Sequence, residues 1–410
     1  MAVARKIFLD RADRLQRLAV PSGALAQTAK RLQRRGVEVI DLSRLRGSIL
    51  KDDSSGRRQS ANSGGHRPAS PDSVTGLHEA VAQWYARRFG ASVDPEREIV
   101  VVPNAIIGLY LLCLAFVEAG DMVLLPDPGA AFYRGAVVLC GGGVMPYHLW
   151  ERNDYLPNYS GLEQGLIGRT RMMVVSYPHN PTAAAADPGI LKETVGFARR
   201  RQILVAYDGA FTYAANGSYR PPSFLDATGA KGVGVELTAL GANFGLPDLP
   251  LALICGNREA IAAVSFLLEV AQLPPADAMV RHGLSLLSDA EAILSRRIER
   301  LARSREILME TMTDLGWTPR SSPTAPFLWI RVPAPVGVEA FCRRVLRRAG
   351  LLLAAGTDFG ERGEGYVRMT IPEEFTLAQT VCERLRRHVK LYQRRLPRRR
   401  ARGGRAETES

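Results

Sequence analysis

The chain has 410 residues, 46% of them hydrophobic and 23% charged, and a formal net charge of +13. That length supports two domains and that balance is ordinary for a globular protein, while no apolar run reaches the roughly 18 residues a membrane-spanning helix needs. The charge is local: ten Lys/Arg and two Glu between Arg386 and Ser410 give +8, leaving +5 for all the rest.

In chain order, the opening "MAVARKIFLDRADRL" has charges interrupting each short apolar run, so it lacks a secretory core segment. Residues 51–73, "KDDSSGRRQSANSGGHRPASPDS", carry almost no apolar side chains and read as a long mobile polar loop. Residues 77–89 place Leu77, Val81, Trp84 and Tyr85 on one helical face. "EIVVVP" (98–103), "DMVLLP" (121–126), "RMMVVS" (171–176), "ILVAYD" (203–208), "GVEL" (234–237) and "LALICG" (251–256) read as buried strands. Helical runs follow residue 103 and lie near 131–140 and 188–200. Continuous apolar strands between helices predict an α/β fold, a mostly parallel sheet covered on both faces, with its ligand site beyond the carboxyl ends of the strands.

A long helical stretch from about residue 283 to 315 leads into "FLWIRV", a helix near 338–349, "LLLAAG", "YVRMTI" and a last helix. This predicts a large domain over 74–282 and a small α+β domain over 283–395. Residues 396–410 are rich in arginine and poor in apolar side chains, and read as a disordered tail. Without interleaved aromatics the tail reads as solvated, and nucleic acid is not an expected partner. Cys113, Cys140, Cys255, Cys342 and Cys382 are odd in number and form no CxxC pair. They read as reduced thiols, consistent with a cytoplasmic location. The six histidines show no metal-ligand spacing.

Six landmarks recur in order: "DRLQRLAVPSGALAQTAKRLQRRGVEVIDLS", "GLHEAVAQWYARRFG", "AGDMVLLPDPGAAFY", "YPHNPTA", "VAYDGAF" and "GLLLAAGTDFGERGEGYVRMTI". Together they resemble the class I/II aminotransferases of fold-type I, which use pyridoxal phosphate. The resemblance implies a seven-stranded-type large domain, a small domain, an N-terminal arm and first strand over 1–50, and a homodimer. It implies that Asp208 faces the cofactor's pyridine nitrogen, Asn180 its phenolate oxygen, and Arg368 a substrate carboxylate through two hydrogen bonds. Thr238 and the helix start at Ala105 and Ile106 fall where the family holds the phosphate.

The segment "ELTALGANFGLPDLPLALICGN" departs from that pattern. Aligned without a gap, the Schiff-base lysine falls on Ala242 and the phosphate-binding arginine on Pro250. The ring-stacking tyrosine falls on Ala130, the tyrosine after the aspartate on Phe211, and the glycine of the "N-P-T-G" turn on Ala183. Loss of a stack costs about 0.5–1.5 kcal/mol and loss of a charged hydrogen bond about 1.5–3 kcal/mol. Cofactor affinity should therefore be weakened. Pyridoxamine phosphate or a preformed cofactor–amino acid adduct needs no lysine, and a site without cofactor is equally compatible.

Lys231 is the nearest alternative amine, and His179, beside Asn180, is a candidate acid or base. The expected function is a diverged, biosynthetic, aminotransferase-like enzyme acting on an amino-acid-derived carboxylate without ordinary transamination. Two alternatives stay open: an aminotransferase-type enzyme with weakly held cofactor, and a non-catalytic pseudoenzyme that binds ligand or partners an intact homologue.

Overall fold

The computed structural model describes residues 12–16, 18, 23–45, 67–165, 168–213, 219–333 and 337–388. The apolar runs form strands β1 (Ile99–Val102), β2 (Met122–Asp127), β3 (Gly143–His148), β4 (Thr170–Ser176), β5 (Leu204–Asp208), β6 (Gly234–Ala239) and β7 (Ala252–Gly256). They make one seven-stranded sheet in the order β1-β7-β6-β5-β4-β2-β3. β7 runs antiparallel to β1 and β6, and every other pair is parallel. The parallel strands therefore end at one edge, where Asp127, Ser176, Asp208 and Ala239 are terminal residues. β3 is absent from the strands expected from sequence. Its "GVMPYH" carries Pro146, which a sheet tolerates at an outer strand such as this one.

The principal helices are α1 (Gly23–Arg34), α2 (Pro71–Phe89), α3 (Ala105–Phe116), α4 (Ala131–Leu139), α5 (Pro188–Arg201), α6 (Leu240–Asn243), α7 (Arg258–Val270), α8 (Asp277–Ser288), α9 (Ala290–Asp314), α10 (Val338–Ala349) and α11 (Phe375–His388). α2 begins with Ser70 as cap and Pro71 in the first turn, and it buries Leu77, Val81, Trp84 and Tyr85. Of the polar loop expected over 51–73, residues 71–73 are helical, and 51–66 lie outside the described residues. So does the arginine-rich tail. The helical stretch expected over 283–315 is two helices, interrupted at Asp289, whose φ of −110° and ψ of 17° are not helical.

In the small domain β8 (Thr318–Arg320), β9 (Phe327–Arg331), β10 (Ala354–Ala355) and β11 (Tyr366–Thr370) form an antiparallel sheet ordered β10-β11-β9-β8. The "LLLAAG" run divides between sheets. Leu351 and Leu352 pair in parallel with Ile40 and Asp41, and Ala354–Ala355 joins β11. The small-domain core gathers Leu25, Ala29, Ile40 and Leu42 with Leu301, Leu308, Phe341 and Val367. α9 ties the two cores together: Leu294 packs into the large-domain core and Ile298, one turn on, into the small one.

The loop before β11 docks on the sheet edge. Arg362 N donates to Asp127 Oδ1 at 3.1 Å, and Gly129 N donates to Phe359 O at 2.7 Å. Gly360, at φ +126°, sits where a Cβ would collide with Asp127. Beside this contact, Arg368 of β11 reaches Asn180 in the turn that follows β4. No helix among the described residues is long and apolar enough to cross a membrane.

Candidate functional site

Asp208 closes β5 and is 8% exposed. Tyr133, in the first turn of α4, donates its hydroxyl to Asp208 Oδ2 at 2.7 Å, and Ala210 N donates to Oδ1 at 3.1 Å. Burial raises the Asp208 pKa above the usual carboxylate range, and these two donors oppose the rise. A narrow cavity beside it is lined by Ala105, Phe132, Tyr133 and Leu237.

Arg368 comes from β11, opposite Trp329 of β9. Its Nη1 donates to Asn180 Oδ1 at 2.8 Å and its Nη2 to Ser43 O at 2.6 Å. The guanidinium carbon lies 4.8 Å from the Phe359 ring centroid and 5.6 Å from that of Phe327, within cation–π range. Nε is buried and without a hydrogen-bond partner. Burial lowers the guanidinium pKa to about 10, with Asp358 and Asp41 acting the other way, so the group stays charged at neutral pH. The structure thus joins Asn180 to Arg368 across the two domains. A planar cation with a spare N–H suits a carboxylate.

His179 does not share this role. It is 1% exposed, with Nδ1 2.8 Å from Thr182 Oγ1, and burial lowers its pKa to about 3. An imidazole so enclosed is neutral at physiological pH and too weak a base to take up the proton that acid–base work would move. Its backbone instead builds the turn that presents Asn180: His179 N donates to Ala184 O at 2.7 Å, and Ala183 N returns to His179 O at 2.8 Å.

Thr238 is likewise a correction. Strand alternation puts it on the same face as Glu236, inside the core, with its Oγ1 3.0 Å from Tyr85 Oη. It cannot present a hydroxyl at the sheet edge. Its neighbour Ala239 ends the strand with a methyl group. At the start of α3, Asn104 Oδ1 accepts from Ile107 N at 2.9 Å, so one helix-end donor is satisfied internally. Ala105 borders the Asp208 cavity, and Ile106 is 49% exposed.

Ala242 lies in α6, partly exposed, against an apolar cluster of Ala183, Phe211, Ala325 and Phe327. The short helix is held firmly. Asn243 Oδ1 accepts from Tyr213 N at 3.0 Å, and Arg297 Nη1 donates to Asn243 O at 2.7 Å. Lys231 is at the opposite edge of the sheet, where β1 and β6 begin, bonded to Glu98 Oε2 at 2.7 Å and Ser92 O at 3.0 Å. Lys30 and Lys192 are exposed on α1 and α5. Ala130 is buried without a ring and Pro250 is exposed.

Tyr133 is the residue that the sequence reading missed. It is the last letter of "PGAAFY", three positions after Ala130, but only the fold reveals the carboxylate it serves.

Comparison with known proteins agrees with this layout. The family model for aminotransferase class I and II matches residues 50–385. The LL-diaminopimelate aminotransferase of Desulforudis audaxviator is 32% identical over 321 residues, covering 78% of this chain and 82% of that protein. That of Moorella thermoacetica is 31% identical over 322 residues, covering 78% and 83%. Among solved structures, a Thermus thermophilus aspartate aminotransferase double mutant superposes with a TM-score of 0.82 at 23% identity, over 93% of this chain and all of the other. Substrate-bound BacF from Bacillus subtilis gives 0.81 at 21%, over 93% and 98%. The fold is thus that of the fold-type I aminotransferases, as the motifs implied. The chain belongs to the class I and II aminotransferase family.

Proposed function

We propose that this chain is a diverged biosynthetic member of the family that binds an amino-acid-derived carboxylate on Arg368 and does not carry out lysine-dependent transamination. The observation that carries the reading is the Arg368 guanidinium: buried, fixed by Asn180 and Ser43, and holding an unused Nε–H. A desolvated cation with an open donor is costly unless a ligand completes it. The curated relatives are named for LL-diaminopimelate, and Arg368 supports a ligand of that carboxylate-bearing class.

Family members use pyridoxal phosphate, which when bound supplies an electron sink. Here Asp208 suits the ring-nitrogen end of that group, and Asn180, whose Oδ1 accepts from Arg368, would turn its amide N–H toward the phenolate oxygen. Asp208, braced by Tyr133, would pair with a protonated pyridine nitrogen. The aldehyde would face Ala242 and hydrocarbon, and the phosphate would find proline rather than arginine at position 250 and no free Thr238 hydroxyl. We therefore read the site as unfitted to a covalently resident cofactor and assign it no step through one. The retained Asp208–Tyr133 pair favours a second reading, in which pyridoxal or pyridoxamine phosphate is held weakly and without a bond to the chain.

What the chain's own groups do is limited and definite. Arg368 and Asn180 orient a carboxylate, Phe327 and Phe359 shield the guanidinium from water, and Asp208 and Tyr133 hold a proton between them. A homodimer fits the surface as well: α7 leaves Phe266 and Val270 63% and 66% exposed, one turn apart, with Leu273 44% exposed beyond them.

Two measurements test the reading. Calorimetric titration with small carboxylates is expected to give binding that Arg368→Gln weakens about tenfold or more. Incubation with pyridoxal phosphate and borohydride is expected to leave no phosphopyridoxyl-lysine on peptide mapping. Discovery of such a lysine would overturn the reading.

A further inference from the structure

Three helices of the small domain end at one place. α1 and α10 each lead into a short strand, and those strands pair in parallel, Ile40 beside Leu351, with Ile40 N donating to Gly350 O at 2.9 Å. The last turn of α11 closes the group. Arg384 Nη1 donates to Glu38 O at 3.1 Å and lies 3.0 Å from where a Cβ on Gly350 would sit. The ends of α1, α10 and α11 therefore form one pole of the domain.

That pole is cationic. α1 exposes Lys30, Arg31 and Arg34, and Arg35 follows them. α10 exposes Arg343, Arg344, Arg347 and Arg348, and after Ala340 its exposed residues are all arginines. α11 adds Arg386 and Arg387. Against these ten cations the same segments expose three glutamates, Glu38, Glu339 and Glu383, and Glu38 is already bonded to Arg384. From His388 the sequence continues into residues 389–410, with eight Lys/Arg and two Glu. The tail, which by itself reads as solvated, thus continues from a folded surface of the same sign.

A basic side chain in the last turn of a helix is favourable on its own, which accounts for Arg34 or Arg348 singly. It does not account for Lys30 and Arg343 one turn earlier, nor for three charged ends in one place. Arg343 with Arg347, and Arg344 with Arg348, are like-charge pairs at i and i+4, which cost a helix stability. A surface of one sign attracts a polyelectrolyte of the other. Nine of the ten cations are arginines, whose planar fork matches phosphate through two parallel hydrogen bonds.

The rest of the surface narrows the polyanion. Among the described residues Val37, 40% exposed, is the pole's one bare large apolar side chain, so it lacks the apolar anchors of a membrane-binding face. No described aromatic is exposed there on which the bases of a single strand could stack. The phosphates of a duplex need neither. The pole is also separate from Arg368. Val367 and Met369 pack with Phe341 and Leu385 of the helices, and Arg368, between them on β11, faces the other way.

We infer that this pole binds double-stranded nucleic acid through its phosphate backbone, without base preference. The inference is independent of the Arg368 reading.

Fluorescence anisotropy of a labelled DNA duplex of about 30 base pairs, titrated with the full chain between about 50 and 200 mM salt, tests it. The wild type is expected to bind, with affinity falling at least about a hundredfold over that range. Arg343→Gln combined with Arg347→Gln and Arg348→Gln should weaken binding at about 100 mM salt by tenfold or more and lower the salt slope by about two to three. Arg34→Gln with Arg35→Gln should act in the same direction, lowering the slope by about one to two. The two sets lie on different helices, so a folding defect in one leaves the other as the test. Absence of salt-dependent duplex binding, or duplex binding that neither set changes, would overturn the inference. So would tighter binding to phosphatidylserine vesicles, or to a single strand of the same length, than to the duplex.

Discussion

The Tyr133 hydroxyl and the Asp208 carboxylate, 75 residues apart in sequence, meet at 2.7 Å inside the large domain. Burial raises the Asp208 pKa, so the folded chain keeps this proton to higher pH than the unfolded chain does. Its contribution to stability therefore declines as pH rises. The Tyr133 donor favours the ionised form and offsets part of that decline. Tyr133→Phe should cost about 1–3 kcal/mol at neutral pH and less in acid, where Asp208 is protonated. Urea denaturation at both pH values checks this; a loss independent of pH would show that the hydroxyl does not act on the carboxylate.

Glu236 makes a second test of buried charge, on the opposite face of the sheet. It is fully buried, accepting from Tyr85 Oη at 3.0 Å, Ser223 Oγ at 2.6 Å and Phe224 N at 2.9 Å. Burial outweighs these donors and moves its pKa from 4.5 to about 6. Because the folded value is the higher one, its stabilising contribution is complete below pH 4.5 and lost as pH rises to about 6. That change amounts to about 2 kcal/mol. Glu236→Gln removes the titration, so its Tm should vary less than the wild type across this interval. Parallel slopes for the two proteins would contradict the assignment.

These two carboxylates show where sequence reading succeeds and where it stops. Strand runs such as "VVV" and "MMVV" are legible because burial on both faces leaves no polar alternation, and the order of motifs fixed the family. Which face Thr238 points to depends on its register beside Glu236, one residue of alternation, and a motif match carries no such information. β3 escaped notice because Pro146 and its glycines break the strand pattern at a position where an outer strand tolerates them. The partners of Asp208 and Arg368 are distant in sequence: Asn180 lies 188 residues from Arg368. Only the assembled sheet edge brings them together. His179 looked chemically apt as a letter beside Asn180, and its enclosure against Thr182 could not be read from the chain.

The exposed face of α7 predicts the oligomeric state. Phe266 and Val270 are one helical turn apart and largely bare, an arrangement a monomer rarely keeps. The wild type should sediment as a dimer. Phe266→Asp combined with Val270→Asp should shift it toward monomer with an unchanged far-ultraviolet spectrum, as measured by analytical ultracentrifugation and circular dichroism. A monomeric wild type would remove this surface from any dimer contact.

The position of Ala242 can be tested by restoring what the family pattern places there. Ala242→Lys puts an amine against the apolar cluster of Phe211 and Phe327, whose Phe327 ring also lies under Arg368. Desolvation there lowers a lysine pKa and leaves more of the amine unprotonated and nucleophilic at neutral pH. The variant should therefore acquire a borohydride-fixed phosphopyridoxyl group on residue 242 when pyridoxal phosphate is supplied, with weak half-saturation. Adding Pro250→Arg returns a charged donor for the phosphate, and about 1.5–3 kcal/mol of interaction should tighten that half-saturation by roughly ten- to a hundredfold. Peptide mapping and a titration of label against cofactor concentration read both effects. If no combination labels residue 242, the alignment that assigns the missing lysine to Ala242 is wrong.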